Sequence, residues 1–178
     1  MKIASLKRAK LDIVLSHCTR KTLGYFLENE IKEKKAYGML LGQKIEDSDS
    51  WKIIDVIPLY KNTRETDGKL YMDDLMTRFA IPSATPFEKR GWFVDNGELA
   101  DILYKCNANN LEIIGSYHMH RVPWKHDSIR DTPTLLDKIL AEDTGLLMMI
   151  ISTVDIKNPQ IRIFYEGDLE KEVQINIL

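Results

Sequence analysis

The spacing of apolar residues divides the first third of the chain into short strands and one amphipathic helix. Alternation over residues 11–15 predicts a first strand. Apolar side chains then recur at helical spacing, which predicts a helix from Thr19 to about Lys34. Two apolar runs, 36–42 and 51–57, are separated by the polar residues 46–50, so we predict a β-hairpin.

The second half repeats this alternation of strands and helices. The predicted elements are a helix over 97–109, a central strand over 111–120, a helix over 132–142, and strands over 146–153, 160–165 and 173–177. The order β-α-β-β-insertion-α-β-α-β-β-β predicts an α/β domain in which helices flank a mixed central sheet.

Residues 59–96 show the least regular pattern, with prolines and glycines spread among aromatic residues. We expect a partly ordered insertion with one short helix near residues 73–76, inside a single domain that spans 1–178. Its aromatic side chains either cover a ligand cleft or pack the insertion onto the core. They are Tyr71, Phe79, Phe87, Trp92 and Phe93.

Composition narrows the classes of partner. The net charge is −2, and 44% of residues are hydrophobic and 29% charged, which argues against nucleic acid or a membrane surface as a partner. The two cysteines, Cys18 and Cys106, are far apart and fit buried thiols in a reducing compartment. The N-terminal residues lack the apolar run and the following small-residue cleavage site that are typical of a signal peptide. We therefore expect a cytoplasmic protein.

Candidate chemistry is concentrated in the stretch SYHMHRVPWKHDSIRD, residues 116–131. His118 and His120 are two residues apart on a predicted strand, so both rings project from one face and can bind one metal ion. A catalytic zinc needs a third protein ligand, and Asp131, just ahead of the next helix, is the predicted one. Zinc is the expected metal, although the ligand set also suits iron or manganese. Ser128 and Asp131 could also simply cap that helix.

The pattern HxH-x7-SxxD resembles the signature of the JAMM (MPN-plus) zinc metalloisopeptidase family. The glycine-bounded run 36–42, Asn62, and the strand leading to His118 also match that family. The resemblance implies a cytidine-deaminase-like JAB/MPN fold and zinc bound by His118, His120 and Asp131. It also implies that Ser128 donates a hydrogen bond to the oxyanion, and that the substrate is a protein or peptide, such as a ubiquitin-like tail.

The resemblance fails at the general base. The family places a glutamate three residues before the first glycine of the glycine-bounded strand, and Lys35 stands there in this chain. Glu33 is the nearest replacement, and Glu30 is a more distant one. Two functions therefore stay open: a zinc peptidase or isopeptidase that uses Glu33 or another glutamate, and a catalytically silent binding module.

Overall fold

A computed structural model of the protein describes residues 3–27, 35–83 and 85–178. The strands are β1 (Ile3–Leu6), β2 (Tyr37–Lys44), β3 (Ser50–Leu59), β4 (Glu112–His120), β5 (Leu147–Ser152), β6 (Gln160–Tyr165) and β7 (Glu172–Ile177). The helices are α1 (Arg8–Leu27), α2 (Lys69–Phe79), α3 (Asn96–Asn109) and α4 (Leu135–Ala141). Within the described residues, six of the seven strands and all four helices overlap predicted elements, and the β2–β3 hairpin is confirmed.

The sheet is closed, and this corrects the predicted fold class. The strands follow the order β1-β3-β2-β4-β5-β6-β7, and β1 pairs in parallel with both β3 and β7. The predicted α/β domain of the cytidine-deaminase-like JAB/MPN type, with a mixed central sheet flanked by helices, is therefore the wrong architecture. The strands form a seven-stranded barrel, and the closing strand is the one that the sequence pattern failed to identify.

The first strand predicted from the sequence, over residues 11–15, is in fact part of the first helix. Residues 11–15 alternate in polarity, but they lie inside α1, where Leu11, Val14 and Cys18 are buried at helical spacing. This face of α1 packs into the main core together with residues from every strand of the barrel. Burial on one side of a helix therefore overrides the short alternating pattern. None of the described helices is long and apolar enough to cross a bilayer.

Two smaller apolar clusters cover the outside of the barrel wall. One joins α3 to β2, β3 and β4 through Leu41, Leu59 and Ile102. The other joins α4 to β5 and β6 through Ala141 and Phe164. The outward face of β4 lies between these two helices, and this is where the candidate site is found.

The expected insertion is more ordered than its composition suggests. It contains α2, which is longer than the predicted 73–76, and a 3₁₀ turn over Phe87–Lys89. The buried Arg64 ties it together, because its Nε donates to the carbonyl of Arg90 at 3.0 Å and it pairs with Asp73 at 2.5 Å. The chain that follows α2 is thereby held beside the outer face of β4.

Candidate metal centre

The two histidines of β4 converge as their spacing predicts. Tyr117 and Met119 point into the core, so His118 and His120 project from the opposite face of the strand. Their Nε2 atoms are 3.1 Å apart. The Nδ1 atom of His120 lies 2.9 Å from the carbonyl oxygen of Arg130, which can only accept, so Nδ1 carries the proton and Nε2 presents a lone pair.

The third ligand atom comes from Asp137, on the first turn of α4. Its Oδ1 lies 3.5 Å from His118 Nε2, and its Oδ2 lies 3.9 Å from His120 Nε2. Thr134 caps α4 in a capping box with Asp137, which fixes where this carboxylate points. Among the residues that the structure describes, His118, His120 and Asp137 form the only group of three or more ligand-type side chains close enough to share one ion.

The protonation states of His118, His120 and Asp137 favour the binding of a metal cation. Burial lowers the pKa of His118, assisted by the charges of Lys35 and Arg130. Burial and the neighbouring His118 lower the pKa of His120 to about 3. Burial alone would raise the pKa of Asp137, but positive charge on His118 or His120, when either ring is protonated, and the hydrogen bonds from Thr134 bring it below its usual value. Two neutral imidazoles and one carboxylate are the forms that bind a metal.

The spacing also fits zinc. Two nitrogens bound to one tetrahedral zinc at about 2.0–2.1 Å lie about 3.3 Å apart. The observed separation of 3.1 Å between the two Nε2 atoms is close to that value. The carboxylate distances of 3.5 and 3.9 Å need only a small adjustment of the side chain. Two imidazoles and one carboxylate leave a fourth position open, as catalytic zinc sites do.

Asp131, the ligand predicted from the motif, is placed elsewhere. Asp127 Oδ1 accepts from the backbone N–H of Arg130, and Arg130 adopts a left-handed conformation with φ of 55°. The chain turns there, and Asp131 Oδ1 lies 3.5 Å from Arg162 Nη1 on β6. The sequence analysis missed Asp137, although the pair Thr134-x-x-Asp137 is itself a capping signal.

The structure does not bring Ser128 to the candidate metal centre, and it does not describe the two candidate glutamates. Ser128 is exposed and is absent from the described residues that line the cleft beside the histidines. Glu33 and Glu30 fall within 28–34, outside the described residues. Lys35, which occupies the position of the family glutamate, does line that cleft. The general base predicted at Glu33 therefore stays a prediction.

The candidate metal centre opens into a cleft of about 390 Å³. One wall is the chain after α2, including Ile81 and Trp92, and the other is formed by the loop after β4 and by α4. Trp92 stacks on Tyr37 with centroids 5.6 Å apart, and Tyr37 stacks on His118 at 6.0 Å. The stacked rings thus lead from the insertion to His118, and Trp92 is the one insertion aromatic among the described residues that line the cleft.

Comparison with known proteins identifies a solved structure with a similar fold, but it does not indicate what reaction or ligand the candidate metal centre serves. No protein-family profile and no curated protein matches the sequence. The solution structure of a protein from Desulfitobacterium hafniense has a TM-score of 0.62 and 20% identity, covering 99% of this chain and 93% of that one. The solution structure of a protein from Salinibacter ruber has a TM-score of 0.48 and 18% identity, and the match covers 100% of this chain and 90% of that one. The chain therefore shares its fold with the D. hafniense protein.

Proposed function

We propose that the chain is a zinc-dependent hydrolase with JAMM-type chemistry, which cleaves a peptide or isopeptide bond in a polypeptide tail such as that of a ubiquitin-like protein. The observation that carries the proposal is the convergence of His118 Nε2, His120 Nε2 and the Asp137 carboxylate within 3.1–3.9 Å. The adjoining cleft is large enough for a short peptide segment. A bound zinc would polarise the scissile carbonyl and lower the pKa of a water molecule.

The protein groups have distinct parts in this proposal. The two imidazoles and Asp137 hold the ion, and the Arg130 carbonyl fixes the tautomer of His120. The stacked rings of Tyr37 and Trp92 exclude water from one side of the cleft. Asp137 is the only carboxylate among the described residues that line the cleft, and Thr134 already engages it. A general base other than Asp137 is therefore required, and Glu33 remains the proposed one.

A peptide library tests the proposed hydrolysis without assuming a particular substrate. Zinc-loaded wild-type protein and Asp137→Asn are incubated with peptides from a digested proteome, and new termini are read by mass spectrometry. We expect new termini with the wild type alone, their loss on chelation, and their return when zinc is restored. Identical peptides from both proteins would refute the proposed hydrolysis.

Lys35 supports a second candidate function, a binding module that holds metal and a polypeptide tail without cutting it. A lysine ammonium cannot accept a proton from water, and Lys35 lines the cleft at the family glutamate position. Lys35→Glu is the test, with Lys35→Gln as the control that removes the charge without adding a base. Cleavage by Lys35→Glu alone would support the silent module, whereas cleavage by the wild type would exclude it.

We also propose that the protein works in the cytoplasm. The supporting observation is that Cys18 and Cys106 are both buried, free thiols. Cell fractionation followed by thiol labelling of the denatured protein measures this directly. Recovery in an oxidising compartment, or an intermolecular disulfide in the native protein, would contradict it.

A further inference from the structure

The floor of the cleft becomes apolar one rung along β4 from the metal ligands. Ser116 lies two residues before His118 on the same outer face of the strand, and both residues line the cleft. Ser116 pairs with Met39 of β2 on one side and with Met148 of β5 on the other. A short serine between two longer methionines leaves a depression in the outer surface of the sheet.

Helix α4 forms one wall of this depression. Leu140 follows the metal ligand Asp137 by three residues, so both side chains lie on the same face of the helix, about one turn apart. Leu140 lines the cleft and is 36% exposed, so a ligand can reach it. Leu136, on the preceding turn, also lines the cleft and is partly exposed.

The chain that follows α2 forms the facing wall. Ala80 and Ile81 line the cleft, and both are partly exposed. Arg90 also lines this wall, and its Nη2 atom donates to the carbonyl oxygen of Ile81 at 2.7 Å. That bond holds the backbone of the wall and leaves the apolar side chains to face the depression.

The charged side chains of the cleft are concentrated near the metal ligands. Among the described residues, the charged lining consists of Lys35, Arg90, Arg121, Arg130 and Asp137. Apart from Arg90, these residues are Asp137 itself or lie close to the two histidines in space or in sequence. The lining residues before His118 on β4 and after Asp137 on α4 are uncharged. A concave surface of this kind favours an apolar ligand group, because it offers a charged group no partner.

We infer that this end of the cleft is an apolar subsite that accepts a large apolar side chain of a polypeptide ligand. The residues that form the apolar subsite are Met39, Ile81, Ser116, Leu136 and Leu140. The inference rests on the proposed function in taking the ligand to be a polypeptide held at the candidate metal centre.

The rise of a strand determines which side chain of the ligand reaches the apolar subsite. At about 3.4 Å per residue, Ser116 lies about 7 Å along β4 from His118. Alternate side chains of an extended polypeptide have the same spacing. A ligand that places its scissile bond at the metal centre therefore places the side chain about two residues away in the apolar subsite.

Two small probes and nuclear magnetic resonance test the subsite. N-acetylleucinamide carries an apolar side chain, and N-acetylglutaminamide carries a polar one of similar length. The reporter is the Met39 methyl resonance, assigned with Met39→Leu, in the metal-free and the zinc-loaded protein. We expect the leucine probe to shift this resonance and to bind about tenfold more tightly than the glutamine probe, because burial removes its apolar surface from water.

Variants of α4 decide whether the probe occupies the inferred place. Leu140→Gln should weaken binding of the leucine probe about tenfold, while Leu140→Met should retain it, because methionine keeps the apolar volume. The matched control is Leu135→Gln on the same helix, since Leu135 is exposed and does not line the cleft. The methyl resonance of Met72, which is buried outside the cleft, reports whether each variant is folded.

Equal affinities for the two probes, or equal effects of Leu140→Gln and Leu135→Gln, would overturn the apolar subsite. This failure is distinguishable from failure of the proposed hydrolysis, because binding of the probe to the metal-free protein depends neither on zinc nor on cleavage. Wild-type cuts in the peptide library should have a large apolar residue about two positions from the cut, on the side that the library identifies. Cleavage without that preference would refute the subsite and leave the hydrolase proposal in place.

Discussion

Thr134 holds the carboxylate of Asp137 from two directions. Its backbone N–H donates to Oδ2 at 2.7 Å, and its hydroxyl donates to the same oxygen at 2.8 Å. The other oxygen, Oδ1, is left facing His118. Groups that orient a metal ligand in this way contribute to metal affinity although they do not touch the ion. Thr134 is therefore a positioning residue for the candidate metal centre.

Replacing the Thr134 hydroxyl should weaken zinc binding. We expect Thr134→Val to lower zinc affinity roughly tenfold, and Thr134→Ser to retain it, because serine keeps the donor. Competition with a chromophoric chelator measures both. Equal affinities for the valine and serine variants would show that the hydroxyl does not position Asp137.

His17 provides a pH-dependent contribution to stability. Its side chain is 1% exposed and its Nδ1 lies 2.7 Å from the Tyr117 hydroxyl oxygen. Burial, followed by the charges of Lys21 and Arg20, lowers its pKa from 6.5 to about 4. Because the unfolded chain takes up this proton first, stability is complete above about pH 6.5 and falls as the pH approaches 4, by about 3 kcal/mol in all.

Removing the titrating group at position 17 should flatten that dependence. In His17→Gln, which keeps a hydrogen-bonding side chain, the free energy of unfolding should fall less steeply between pH 6.5 and 4 than in the wild type. Urea denaturation at a series of pH values gives both slopes. If the two proteins lose stability in parallel, His17 is not the source.

At the residue scale, the histidine pair could be predicted and its carboxylate partner could not. Alternation along one strand is enough to place His118 and His120 on the same face. Asp131 and Asp137 are both preceded by a hydroxyl residue at the capping spacing, so local pattern does not separate them. The choice depends on the turn at Arg130, which directs Asp131 toward Arg162.

At the scale of elements, the insertion is anchored by one buried arginine. Arg64 joins α2 through Asp73 to the chain at Arg90, just before Trp92. Next to it, the Phe93 N–H donates to Asn62 Oδ1 at 3.0 Å, and the Thr63 N–H donates to the Phe93 carbonyl at 2.9 Å. Glycines and prolines in a sequence do not reveal such an anchor, which is why the pattern alone predicts only a partly ordered segment.

Shortening the anchor should loosen the wall of the cleft. Lysine cannot reproduce the forked contacts of Arg64, so in Arg64→Lys we expect the Phe93 amide to exchange with deuterium about tenfold faster. Arg78→Lys is the matched control, because the Arg78–Asp74 pair on α2 is exposed and such pairs contribute little. Similar exchange in both variants would contradict an anchoring role for Arg64.

At the scale of the whole molecule, closure of the barrel depends on four residues. β1 pairs with β3 on one side and β7 on the other, joining parts of the chain that are more than a hundred residues apart. Such a short strand has almost no periodic signal of its own. The order of the other elements was therefore predictable, whereas the closed topology was not.

A buried charge in β1 tests this closure. Ala4 is fully buried in the core, so Ala4→Glu should lower the free energy of unfolding by at least about 3 kcal/mol. Ser5 points the other way and is partly exposed, so Ser5→Glu should cost less than about 1 kcal/mol. Urea denaturation compares them. Equal tolerance of both would mean that residues 3–6 do not close the sheet.

The central claim is that His118, His120 and Asp137 bind one metal ion, and zinc content tests it most directly. Protein purified without affinity metal is equilibrated with zinc, desalted and measured by elemental mass spectrometry, alongside Asp137→Asn and the matched control Asp131→Asn. We predict about one zinc per chain in the wild type and in Asp131→Asn, and loss of zinc in Asp137→Asn. Loss in Asp131→Asn with retention in Asp137→Asn would return the third ligand to the motif aspartate. No zinc in any of the three would reduce the site to a hydrogen-bonded pair of imidazoles.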